Sequence, residues 1–478
     1  MVNFMILLKK IRIFFDSSTW RAFAKKMPWF LLALAAISLF LIVLTNEIIP
    51  GLLFFILGFV FIVFYHFNLF GLLVMVLFYP FQNWQFVYHD YNFPYVDLFG
   101  ILLFLALALK VGSRLLKKEI SAVELFKNEL PIFGFFVFWA AAGLLAMNYN
   151  VDFGQTMKYY VRPMLFFYPI FLILPHFVIK NSKQWRMVVG LIFVVCLITA
   201  AIGLSGVVFN QQSGLAGYQA KPYPLFGFMP LSGNQNAIAE ILAVGIPLAL
   251  CLFVFAEKVK KRGWFILAII FLTLIMLLTF SRSGFLALLV EMAVVLLFRF
   301  RGQINFKKFL TVFAVIAMIV VFGYFYILQN FSFVQNSNAN RLLLSQISWH
   351  YFLVHPVIGN GLNSFQNLVG STFIYFVEFG EPLDSHGFVQ KVLTETGLLG
   401  LFGYVGILAG IFWRYVEFLK NKKESADYYA AVALLAMTIG LVVFELFSTS
   451  YYIAIMWLPI GIGLSGLRVF AKNEKIEK

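Results

Sequence analysis

Long apolar runs recur through almost the whole chain, and each is of the length, roughly 20 residues, that carries a helix across the hydrocarbon core of a bilayer. The sequence therefore predicts an all-α polytopic membrane protein. Candidate spans fall at 28–44, 48–64, 69–81, 95–111, 130–147, 163–179 and 187–209, then at 236–256, 264–280, 282–298 and 309–328, and finally at 387–413, 428–447 and 453–470. That makes about fourteen transmembrane helices, within a range of about twelve to fourteen. The organisation expected is a tail at 1–27, eleven spans in 28–328, a loop at 329–386, three spans in 387–470 and a tail at 471–478.

With 62% hydrophobic and only 12% charged residues, a soluble globular domain is excluded. The net charge of +15 does not point to nucleic acid, because the cations sit in short segments between spans rather than on one basic face. Cys196 and Cys251 both lie inside apolar runs and read as packing residues, so neither a disulfide framework nor a metal cluster is indicated. The basic stretch before residue 28 lacks a convincing cleavage site and reads as the flank of an uncleaved anchor.

Lys and Arg accumulate in cytoplasmic loops, which allows orientation to be read. With the N-terminus inside, thirty of the thirty-six Lys and Arg fall on the cytoplasmic side. Both termini are then cytoplasmic, and the loop at 329–386 lies outside, with short helices expected in it.

The six cations left over are Lys158, Arg162, Lys221, Arg282, Arg341 and Lys391. Each could snorkel to a headgroup or pair with a carboxylate such as Asp152, Glu240 or Glu378. Three arginines near one membrane surface suggest something more, since a guanidinium fork matches phosphate oxygens two at a time, as in an anionic lipid diphosphate. Arg282 stands in Phe-Ser-Arg-Ser-Gly-Phe, where a tight outer hairpin would hold it at the interface. Pro163 suits the first turn of a helix, which would put Arg162 and Lys158 just outside an anion-favouring N-terminus. Ser232, Asn234 and Asn236 read first as caps of the next helix, with ligand contact as the second role.

In the loop, Leu342, Leu343, Ile347, Phe352 and Leu353 form roughly one helical stripe, which predicts an amphipathic helix lying on the membrane with Arg341 near its start. Pro356 and the turn Gly359-Asn360-Gly361 end it, and His350 and His355 read as interfacial side chains. His386 differs. Asp384 and Ser385 are placed to cap a span starting at Gly387, which would hold the imidazole at the mouth of the membrane as a candidate general base. Neighbouring arginines would keep it neutral, and Asp384 would oppose them.

Taken together, Ser281-Arg282-Ser283-Gly284, the Asn340-Arg341 pair, Trp349-His350, His355-Pro356 with Gly359-Asn360-Gly361, and the stretch from Ser385 to Leu401 resemble the bacterial O-antigen ligase and polysaccharide polymerase superfamily. The motifs span about Asn234 to Leu401, and the topology resembles the family over the whole chain. The resemblance implies a metal-independent, cofactor-free transfer of a glycan from a polyprenyl diphosphate carrier to the hydroxyl of a glycan or glycolipid acceptor, on the outer face of the membrane. It implies that Arg282 and Arg341 bind the diphosphate and that His386 activates the acceptor, with Arg162 a looser match. Lys158, Lys221, Lys391 and Asn236 join as substrate-binding candidates, and other polysaccharide assembly proteins as partners. Gly387 departs from the asparagine usual after this histidine, and about fourteen spans exceed the usual twelve. Ligase and polymerase use the same donor and stay open as alternatives. A flippase for lipid-linked saccharides competes from another class, although no repeat of two halves is visible. A structural scaffold of an export machine would need neither Arg341 nor His386.

Overall fold

The computed structural model describes residues 17–88, 91–119, 130–149, 153–209, 217–224, 233–300 and 332–477, with isolated positions at 229, 231, 311, 315, 318 and 322. Among these, the chain divides into two compact units, one within Met1–Val76 and Phe86–Leu125, the other within Leu77–Gln85 and Phe126–Lys478.

The first unit contains α1 (Ser17–Thr45), α2 (Ile48–His66), most of α3 (Asn68–Phe78), a two-stranded hairpin (β1, Gln85–Tyr88; β2, Tyr91–Pro94) and α4 (Tyr95–Leu116). Its helices leave large apolar side chains such as Trp29, Leu39, Phe40 and Leu109 exposed, as a lipid-facing surface requires.

The second unit starts with α5 (Leu130–Ala146). Next comes α6, which begins as Phe153–Tyr159, widens through two π-helical stretches, Tyr160–Leu165 and Phe167–Ile173, and ends as Leu174–Val178. The widening has a cause in Pro163, Pro169 and Pro175: each lacks an N–H and crowds the carbonyl one turn back, and a wider turn relieves both. Then follow α7 (Ser182–Phe209), α8 (Gln235–Val254), α9 (Val259–Leu278), α10 (Arg282–Arg299), α11 (Ser332–Val354), the short α12 (Phe365–Gly370) and α13 (Phe373–Phe379), α14 (Phe388–Asn421), α15 (Ala426–Glu445) and α16 (Ala454–Glu477). The core of this unit lies where α8, α15 and α16 are almost wholly enclosed, around Trp185, Trp457, Tyr404 and Phe444.

Among the described residues, eleven helices are long and apolar enough to cross a membrane, and each answers to one of the expected spans. The chain is a polytopic, all-α membrane protein. Three expected spans differ. The one at 69–81 is α3, whose 11 residues reach only about 16 Å, half of the roughly 30 Å hydrocarbon core. The one at 282–298 is α10, an 18-residue helix carrying Arg282, Glu291 and Arg299. The one at 309–328 lies outside the described residues apart from four positions.

A break inside α14 seats the turn that ends the 332–354 helix. Gly397, with φ 63°, interrupts the helical backbone. The carbonyls of Thr394 and Glu395 instead accept from Asn360 N at 2.8 Å and Gly361 N at 3.1 Å, while Leu398 N and Leu399 N donate to Pro356 O at 2.9 Å and Val357 O at 3.1 Å. The turn at 356–361 is thus plugged into the gap and satisfies the backbone groups the break releases.

Candidate functional site

Arg282 is placed by a compact local design. Phe280 takes a positive φ of 54°, and Ser281 then caps α10, its hydroxyl accepting from Gly284 N at 3.2 Å. The same hydroxyl donates to Asn236 Oδ1 at 2.8 Å, which ties the start of α10 to the start of α8, where Asn234 is the cap. Arg282 is the first residue of α10, and its Nη1 donates to Asn338 Oδ1 of α11.

Arg341 lies on α11, about two and a half turns in, not near the start as expected. The buried face of α11 follows the expected stripe only in part, through Leu343, Ile347 and Phe352. Leu344, Ile347 and Phe352 are enclosed, and Leu344 and Ile347 pack with Phe365, Val369 and Tyr375, whereas Leu342 and Leu353 are exposed. The reason is that α11 packs on α12 and α14 as well as facing outward, so protein contacts choose the face. Polar ties fix its register on α14: Gln390 Nε2 donates to Ser345 Oγ at 2.6 Å, and Ser348 Oγ meets Thr394 Oγ1 at 2.8 Å and Gln390 O at 3.1 Å.

His386 precedes α14. Neither Asp384 nor Ser385 caps that helix: Gly387 is the cap residue with no side-chain bond, Ser385 Oγ donates to Gly387 O at 3.1 Å, and Asp384 pairs with Lys391 instead. The departure to glycine at 387 has a steric account here, because a Cβ there would stand 2.5 Å from Leu446 O.

These three elements meet at one cavity of about 410 Å³, within the size range of small-molecule sites. Arg282, Arg341, His386 and Gln390 line it, with Ser283 and Ser345 between them, and among the described residues none that lines it is acidic. Phe285, Leu286, Leu342, Leu446 and Phe447 make the rest of the wall apolar, and three of these, Leu342, Leu446 and Phe447, are also exposed on the surface. Arg341 Nε and Gln390 Oε1, both shielded from solvent, make no hydrogen bond. A buried donor and a buried acceptor left open at a cavity wall are the groups a polar ligand would satisfy. Burial first, and Arg341 next, push the His386 imidazole well below its ordinary pKa, with Asp384 opposing and Arg282 adding to the fall. Burial and then Arg282 lower Arg341, which as a guanidinium stays charged.

Other expected contacts lie elsewhere. Lys391 is buried against Asp384 and under the rings of Tyr159 and Tyr452, 5.2 and 5.9 Å from their centroids, so its charge is met inside the protein and not at the cavity. Lys158 and Arg162 lie within α6, which starts earlier than Pro163, so they do not stand outside a helix N-terminus. Arg162 acts electrostatically on Tyr452. Lys221 lies in the 217–224 stretch, its carbonyl where a Cβ on Gly206 would stand. Asn236 supports Ser281 from behind, and Ser232 is outside the described residues. His350 is exposed, and His355 faces the ring of Tyr149 at 4.9 Å.

Gln390 and Ser345 do not stand out in the sequence, yet a signal for both exists. Ser345 follows Arg341 by four residues on one helix and so shares its face, and Gln390 lies in the first turn of the helix that directly follows His386.

Two guanidiniums, an imidazole and an open amide thus line one apolar-walled cavity of an integral membrane protein. Residues 267–405, which hold all four of these groups, match the family model described as O-antigen ligase. The chain is also similar to the teichuronic acid biosynthesis protein TuaE of Bacillus subtilis (strain 168), at 19% identity over 366 residues that cover 72% of each chain.

Proposed function

We propose that this protein is a membrane glycosyltransferase of the O-antigen ligase type, moving a glycan from a polyprenyl diphosphate carrier to an acceptor hydroxyl in cell-surface polysaccharide synthesis. The observation that carries the reading is the convergence of Arg282, Arg341 and His386, from three separate elements, on one cavity whose lining among the described residues holds no acid. The distribution of thirty of thirty-six cations supports cytoplasmic termini and a cavity facing the outer side of the cytoplasmic membrane.

In this mechanism the diphosphate lies between Arg282 and Arg341, and the apolar wall takes the start of the isoprenoid. The acceptor oxygen attacks the anomeric carbon and gives its proton to the free imidazole nitrogen of His386. As the new C–O bond forms, the bond from the anomeric carbon to the bridging phosphate oxygen breaks, and its electron pair leaves with the diphosphate. The guanidiniums stabilise that growing charge in a site poor in water, where fixed dipoles and charges act most strongly. The lowered imidazole pKa keeps His386 in the neutral form that a base needs. Gln390 Oε1 is placed to accept a hydrogen bond from a sugar hydroxyl.

The test uses native lipid-linked glycan extracted from the source membranes, with candidate acceptors, and farnesyl diphosphate as a binding probe for the headgroup. His386→Ala is expected to lower transfer about a hundredfold or more with probe affinity nearly intact. Arg282→Lys and Arg341→Lys keep the charge but lose the fork, and are expected to weaken both. Transfer at the wild-type rate in all three variants would sink the reading. Product on a separate acceptor marks a ligase, and longer glycan on the same carrier marks a polymerase.

A further inference from the structure

If His386 is the acceptor base, as proposed above, the short segment that bears it has a task of its own. A general base works only where its nitrogen stays within hydrogen-bond reach of the proton it takes, so that segment needs a fixed backbone. It makes no side-chain cap with α14, and its order comes from a different source. Asp384 spans two anchors: its Oδ1 accepts from Ser385 N at 2.8 Å, and its Oδ2 accepts from Lys391 Nζ at 2.6 Å. On the far side of His386, the carbonyl of Gly387 receives both Ser385 Oγ at 3.1 Å and the backbone N of Lys391 at 3.3 Å. The residues before and after the histidine are therefore tied, through Asp384 and Gly387, to the first turn of α14.

Lys391 is unusual in this position. It is only 3% exposed, it faces two aromatic rings, Tyr159 from α6 and Tyr452 from the stretch between α15 and α16, and it does not line the cavity. A lysine that bound substrate would turn its ammonium to the cavity. This one turns it to Asp384, while the rings hold the ammonium from other directions. The buried carboxylate of Glu395, one turn further along α14, also acts on the ammonium, so Lys391 is held between Asp384, which is half-buried, and Glu395, which is enclosed.

We propose that Asp384 and Lys391 are positioning residues for the reaction: an ion pair, its ammonium enclosed, that fixes the segment from Asp384 to Gly387 and so aims the imidazole of His386 into the cavity. The same carboxylate is the negative group nearest the base in charge terms, so it also favours the imidazolium that forms when the acceptor proton is taken. The pair reaches the reaction only through His386, and this distinguishes it from a substrate clamp and from simple stability.

The experiment is a double-mutant cycle with native lipid-linked glycan as donor. Asp384→Asn is made in the wild-type protein and in His386→Ala, and beside it the double variant Asp384→Asn/Lys391→Gln, which removes the enclosed ammonium together with its ion-pair partner; the size-exclusion profile after detergent extraction checks that each variant folds. Alone, Asp384→Asn and the double variant are expected to lower kcat about 30-fold or more, with KM for the donor and farnesyl diphosphate affinity within about twofold of wild type. The acid limb of the pH–rate profile should move to lower pH, because an anion that favours imidazolium is gone. In His386→Ala, the further loss should be less than about twofold. An equal further loss there, a changed donor affinity, or a wild-type kcat in both variants overturns the inference. The base assignment fails separately, by a wild-type rate in His386→Ala alone.

Discussion

Residues 388–396 and 398–421 form one continuous span, α14, on either side of Gly397, yet their neighbours are of opposite kinds. The first half buries Lys391, Thr394, Glu395 and Thr396, and meets its surroundings through directed bonds. These run from Lys391 to Asp384, from Gln390 to Ser345, from Thr394 to Ser348, and to Glu395 Oε1 from Phe365 N at 3.3 Å. The second half buries glycines against α5: a Cβ on Gly403 would stand 2.8 Å from the Trp139 Cα, and one on Gly406 would stand 2.1 Å from the Phe135 ring. Polar ties fix register and orientation, whereas small-residue seams let two backbones approach and exclude volume without choosing a direction. The difference assigns the halves different work. The first organises the elements carrying Arg341 and His386, and the second holds the span in its bundle.

The largest expected effect falls on the second half. Gly403→Leu drives a side chain into the Trp139 backbone, which cannot move aside as a flexible side chain could. The folded protein should fail to accumulate in membranes, by size-exclusion profile after detergent extraction. A well-folded variant with weak transfer would break the comparison, because packing would then be a local feature of the site.

Gly397→Val comes next, and should separate folding from activity. Its φ of 63° is strained for a β-branched residue, and the added Cβ would sit 2.4 Å from Val357 O, inside the plug formed by the turn at 356–361. The expected outcome is folded, inserted protein whose transfer falls about a hundredfold, since the turn and the α11 end before it lose their seat. Loss of insertion instead would mean that the break is part of the bundle and not of the site.

These residues also show what a sequence can disclose. Arg282, Arg341 and His386 stand out because cations and a polar turn on the side poor in Lys and Arg need a reason to be there. The same anomaly marks Lys391 and misleads, since its partner Asp384 lies seven residues earlier and nothing in the sequence says that the intervening chain folds back. The break in α14 is harder still. Gly397 is one of several glycines in an apolar run, and the turn that fills the gap lies some forty residues upstream, so neither declares the other. Lys158 and Arg162 sit inside a helix that tolerates Pro163 through π turns, where Pro163 reads as a starting signal.

The smallest effect tests whether the ties of the first half act one at a time. Thr394→Val preserves shape and removes the hydroxyl that meets Ser348 Oγ at 2.8 Å. Ser348 Oγ keeps Gln390 O at 3.1 Å, so no buried donor is orphaned, and the loss should be that of the hydroxyl contact together with the long bond from Thr394 Oγ1 to Ser348 O at 3.4 Å, about 1 kcal/mol. That loosens α11, and with it Arg341, but leaves His386 on its own anchors. Donor affinity should therefore fall by no more than about fivefold while kcat at saturating donor stays near wild type. A fall in kcat of about a hundredfold would place Thr394 among the groups that hold the reacting atoms. The division between the anchoring of Arg341 and that of His386 would then have to be redrawn.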